Sequence, residues 1–189
     1  LFVASLLVPV IFDLGPFRLL SHRLFLLAFF PTLLLMFASG RAGRLNKVDY
    51  LMLASALWGG LALFASQPGP RVIESVGIHV VEVVGGYLVA RLGLRSAEDF
   101  LRFVRLMYRV ILALLPFAAF ESITGTAVLL ELIPMTHNEV WAGGERLGLD
   151  RAQVVFAHPI LYGAFVSTGF ALSWYVLRPD AGFLGRAIT

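Results

Sequence analysis

Three groups of residues have types and spacings that can do chemistry. Arg151 and His158 bracket the short stretch Ala152-Gln153-Val154-Val155-Phe156-Ala157, directly before an apolar run that opens at Pro159. An arginine cannot lose its charge and can hold a phosphate or pyrophosphate through two parallel hydrogen bonds. A histidine beside it can move a proton near neutral pH. The plainer reading has Arg151 reaching headgroup phosphates and His158 capping the start of a helix. Arg146 belongs to the same polar stretch, with His137, Glu139, Glu145 and Asp150. The second group is Glu74, His79 and Glu82, set inside an otherwise apolar run. His79 and Glu82 are three apart and share a helix face, whereas Glu74 falls on a less similar one. Ionisable groups at membrane depth are costly and suggest a proton relay or a polar cavity. Against that, Glu74 can be solvated near a helix end, and His79 and Glu82 can simply pair to hold helices together. Two ligands at this spacing are too few for a metal, so no metal site is expected. The third is Glu121, near the end of another apolar run, which faces either a polar cavity or solvent.

What must position these residues follows from composition. Of 189 residues 59% are hydrophobic and 14% charged, and the mean hydropathy is +0.85. A soluble domain is about half apolar and about a quarter charged. The excess is too large for a core of this size to absorb, so lipid is the natural solvent. The net charge of +3 does not point to nucleic acid, because the basic residues sit in the gaps between apolar runs rather than in one stripe. With no cysteine, disulfides, thiolate metal sites and a cysteine nucleophile are excluded.

A membrane helix needs about 20 mostly apolar residues. Six runs qualify, and they predict an all-α, polytopic transmembrane bundle forming one domain over 1–189. The runs are Leu1–Leu14, Leu24–Ser39, Tyr50–Ser66, Val72–Leu92, Phe103–Ser122 and Pro159–Leu177. Pro31 and Pro116 fall inside two of them, as membrane helices tolerate. Gly59-Gly60 predicts a close approach of a neighbouring backbone. Ser96 before Glu98 and Asp99 predicts an N-cap with acidic first-turn residues. Between Ile123 and His158 an external loop is expected, with Ala127–Ile133 as a short interfacial helix and Trp141 at headgroup level. The chain opens inside an apolar run without Met, which reads as part of a longer protein or as a processed or trimmed one.

The gaps also orient the chain. Ten of the 15 Lys and Arg fall on one side: Arg41, Arg44, Lys47, Arg91, Arg95, Arg102, Arg105, Arg109, Arg178 and Arg186. The positive-inside rule makes that side cytoplasmic, together with the C-terminus. The stretch carrying Arg151 and His158 then lies outside.

The residues from Arg151 to Gly163, RAQVVFAHPILYG, resemble the Arg-x-x-Gly-x-x-x-His-Pro-[Ile/Asn]-x-x-Gly pattern of the O-antigen ligase and polymerase-like family of bacterial inner-membrane proteins. Gln153 and Val154 stand where a glycine is frequent. The resemblance covers about Phe100 to Leu177; before that it rests only on apolar spans. It implies a metal-independent glycosyltransferase of surface-polysaccharide assembly, with no cofactor. The implied donor is an undecaprenyl-diphosphate-linked glycan on the periplasmic face, and the implied acceptor is another glycan or a lipid. In the family, external arginines hold the donor's pyrophosphate. Arg151 carries over to that role, and His158 to the motif histidine lining the same cavity, with Arg146 and Glu121 as further cavity residues. The family also has a large external loop and later helices beyond the point where this chain stops, at Thr189. A second class of function remains open from the residues alone, a proton-coupled transporter subunit using Glu74, His79 and Glu82.

Overall fold

The structure is a computed structural model that describes residues 1–14, 17–66, 69, 71–132 and 147–177. Arg146, His137, Glu139, Glu145, Trp141, Arg178 and Arg186 lie outside the described residues. Most of the described residues are helical, and the chain is a membrane protein: among them four helices are long and apolar enough to span a bilayer. They are Ser21–Ala38, Lys47–Ser66, Val72–Gly93 and Ala97–Thr124, and they occupy the second to fifth apolar runs. The sixth run forms a helix of 19 residues, α8 (Pro159–Leu177). The first run is not one helix. It gives a six-residue helix, α1 (Phe2–Leu7), and then a strand, β1 (Ile11–Leu14), paired with β2 (Phe17–Leu20). Pro9 lies between α1 and β1, where its missing N–H and its ring favour a break, whereas Pro31 and Pro116 stay inside α2 and α6.

Large apolar side chains remain uncovered along the spans. Trp58 is 74% exposed, Leu51 69% and Phe64 67%. Water would penalise such surface, whereas acyl chains solvate it at no cost. The described residues form two compact units, one of Leu1–Ser5 with Phe12–Arg95, the other of Leu6–Ile11 with the residues from Ser96 onward.

In the first unit, α2 (Ser21–Ala38) and α3 (Lys47–Ser66) pack on a helix in three parts: α4 (Arg71–Val80), a π-helical turn at Val81–Gly85, and α5 (Gly86–Gly93). Ala56, Val84 and Leu88 form the buried core with Phe30 and Val80 against them. Small residues set the approach distances, as the Gly59-Gly60 pair predicts. A Cβ on Gly59 would fall onto the His79 ring, and one on Gly60 would meet Val76 at 3.6 Å. A Cβ on Gly85 would come within 3.2 Å of Leu26.

In the second unit, α6 (Ala97–Thr124) starts at the predicted cap, where the Asp99 N–H donates to Ser96 Oγ at 3.1 Å. It ends at Gly125, in the left-handed region at φ +70°, where glycine carries no Cβ penalty. The short helix α7 (Val128–Leu132) falls within the expected Ala127–Ile133 segment. Helix α8 packs on α6 through Gly169, where a Cβ would collide with Ile111.

Candidate functional site

The predicted residue groups fall at separate places. The end of α6 and the segment before α8 build one of them. Glu121, on the last turns of α6, is 5% exposed. It is not a solvated helix end. The backbone N–H groups of Gln153 and Val154 donate to its two carboxylate oxygens, Oε1 and Oε2, each at 2.9 Å. Hydrogen bonds to a carboxylate are stronger than neutral ones, and these two satisfy backbone donors that are shut away from water. Val154 adopts φ +58°, a genuine outlier for a β-branched residue. Its side chain is 1% exposed and packs in a cluster with Leu114, Ala118 and Val155. Next to it, the Asp150 N–H donates to the Ser122 carbonyl at 2.9 Å. The Asp150 carboxylate closes on Gly125, where a Cβ would come within 2.8 Å of Oδ2.

These contacts fold the segment back over the end of α6 and leave a groove of about 600 Å³. Arg151, Asp150, Ser122, Leu115, Tyr162 and Gly163 line it. It combines an apolar wall, the Arg151 cation, the Asp150 carboxylate and the hydroxyls of Ser122 and Tyr162, which suits a molecule with an apolar part and a polar part that Arg151 can bind if it is anionic. His158 is not among the residues lining it. Its Nδ1 accepts the Ile160 N–H at 3.1 Å, and its carbonyl accepts the Leu161 N–H at 3.0 Å, so it caps the start of α8. An Nδ1 that accepts implies the tautomer with its proton on Nε2.

The intramembrane group of the first unit divides. Glu82, in the π-helical turn, takes a hydrogen bond from Arg23 Nε at 2.6 Å. His22 Nε2 stands 3.3 Å from the same oxygen. Both partners lie in the first turn of α2. His79 turns instead to α3 and Gly59, and its buried Nε2 has no hydrogen-bond partner among the described residues. The shared face expected from a three-residue spacing holds for a regular α-helix; here a π-helical turn begins at Val81, between the two residues, and its wider i→i+5 ring alters the angular step. Glu74 lines a third place, an apolar groove of about 320 Å³ that also takes in Arg23, Leu27 and Ile78. No group of three metal-ligating His, Asp or Glu side chains occurs among the described residues.

One polar cluster was not anticipated. Asp49 is fully buried, yet it lies in the first turn of α3. It accepts from the Tyr87 hydroxyl, from Arg91 Nε at 3.0 Å and from the Asn46 N–H at 2.7 Å, while its own N–H donates to Asn46 Oδ1 at 3.0 Å. Arg91 also donates to the Arg44 carbonyl at 3.2 Å. The reciprocal Asn46–Asp49 pair is a capping box with its residue types altered, and that spacing was the available signal. The Tyr87 and Arg91 contacts span 38 and 42 residues and leave no local mark.

The chain matches no family model, no curated protein and no solved structure.

Proposed function

We propose that this chain acts in cell-envelope polysaccharide assembly, as part of a metal-independent glycosyltransferase of the O-antigen ligase or polymerase type. In this reading it sits in a bacterial inner membrane with its C-terminal end cytoplasmic and the Arg151 groove on the periplasmic side. An undecaprenyl-diphosphate-linked glycan is the donor and a second glycan or a lipid the acceptor. The observation that carries the reading is the backbone at Val154. The family pattern favours glycine three residues after its arginine, and Val154 holds φ +58° at that position, a conformation natural to glycine. Val154 thus has the backbone conformation that glycine adopts most readily at the position where the pattern favours glycine, and Arg151 borders a groove that also has an apolar wall. A polyprenyl tail lies in lipid while its diphosphate stays at the interface. Departure of that diphosphate requires charge stabilisation, which an arginine supplies by placement alone.

The test is complementation of a strain lacking the full-length protein. Arg151→Ala abolishes surface polysaccharide at normal protein abundance, and Arg151→Lys restores little of it, because a point charge does not replace a bidentate fork. Glu82→Gln leaves the polysaccharide in place. Normal polysaccharide with Arg151→Ala would sink the reading. A second reading, the proton-coupled transporter subunit using Glu74, His79 and Glu82, draws on Glu82 lying in a π-helical turn, a feature frequent at functional sites. It requires the opposite result, proton-coupled flux that depends on Glu82 and polysaccharide that does not depend on Arg151.

A further inference from the structure

Glu121 has a carboxylate, lies beside the Arg151 segment and is next to Ser122, which borders the groove. Its geometry nevertheless separates it from any ligand there. Both of its oxygens take backbone N–H groups, it is 5% exposed, and it is not among the residues lining the groove. What it holds is the peptide that follows Arg151 by two and three residues. Left to itself, a valine would leave the left-handed region for the extended or helical wells. Two restraints keep it there: the Glu121 oxygen on its N–H, and the packing of its side chain against Leu114 and Ala118.

We infer that Glu121 is a positioning residue: its carboxylate locks the Gln153–Val154 backbone in the turn that presents Arg151 to the groove, and it acts on a bound anion only through Arg151. The inference rests on the proposed donor site. It assigns the acidic residue of this region a role opposite to that of a general base, because a carboxylate that is 5% exposed and does not line the groove is out of reach of a substrate proton there.

A double-mutant cycle tests it, with the full-length protein in lipid nanodiscs and undecaprenyl diphosphate as the probe. Arg151→Ala weakens binding by at least about tenfold. Glu121→Gln keeps the side chain's shape but offers one acceptor where two are needed, and it also weakens binding by about tenfold. If Glu121 acts through Arg151, the double variant binds no more weakly than Arg151→Ala alone. Losses that multiply in the double variant would overturn the inference, as would wild-type affinity in Glu121→Gln beside a weakened Arg151→Ala. An Arg151→Ala variant with undiminished affinity would instead remove the donor site itself, so the two failures are told apart by that single variant. Should Glu121→Gln not fold, Glu121→Asp serves in the same cycle, since its shorter arm retains the charge but cannot span both amides. Hydrogen exchange over residues 150–157 provides the accompanying readout. Protection there falls in the Glu121 variants and holds in Arg151→Ala; unchanged protection in the Glu121 variants also overturns the inference.

Discussion

Glu82 and Glu121 are the same residue in the same kind of setting, a carboxylate within an apolar spanning helix, yet their charges are met in different ways. Glu82 faces side-chain cations, Arg23 and His22, and its side chain stays 34% accessible. Glu121 faces backbone N–H groups and is nearly closed off. A side-chain ion pair joins two helices and can loosen without unfolding either one. A carboxylate bound to backbone donors determines the path of the chain itself, because those donors have nowhere else to turn. The difference shows that a charge in a spanning helix is interpreted from its partners rather than from its depth. Asp49 combines the two cases, capping the backbone of α3 at Asn46 while binding Tyr87 and Arg91 from the other helix.

The contrast makes its largest demand on Glu121. Replacing it with alanine removes two charge-assisted hydrogen bonds and strands two buried donors, which costs about 3 kcal/mol or more. Thermal or denaturant unfolding in detergent reads this, and a cost below about 1 kcal/mol would mean that water already serves those amides. At the small end is Glu82→Gln. A pair that is one-third accessible contributes about 0–1 kcal/mol, so this variant unfolds close to wild type and its difference shrinks further in high salt. A Glu82→Gln loss as large as that of Glu121→Ala would erase the distinction and would place the Arg23–Glu82 pair in a setting as dry as that of Glu121.

Much of the fold was readable from local patterns, and what escaped was long-range. The second to fifth apolar runs became the four spanning helices, the Ser96 cap and the α7 segment fell where their residues put them, and Gly59-Gly60 allowed the close approach their size permits. The first run misled because hydropathy does not register the break at Pro9, and a proline alone does not foretell one, since Pro31 and Pro116 stay inside α2 and α6. His79 and Glu82 misled because a π-helical turn is not visible in spacing, and the partners of Glu82 lie 59 and 60 residues away. At the candidate site, the motif residues marked the segment that borders the groove but not its construction. Arg151 borders the groove, whereas His158 is turned to capping α8. Glu121 emerged as a clamp across 32 and 33 residues, a pairing no local pattern could disclose. The tolerance of Val154 for a glycine conformation follows only once that clamp is in view.

The two grooves offer the most direct test of the proposed donor site. An undecaprenyl diphosphate carrying a photoreactive group, crosslinked to the full-length protein in its membrane and mapped by mass spectrometry, reports the site residue by residue. Adducts are expected around Ser122, Arg151 and Tyr162, lost in Arg151→Ala and kept in Glu82→Gln. Adducts confined to the groove of Leu27, Glu74 and Ile78, unaffected by Arg151→Ala, would contradict the proposed donor site.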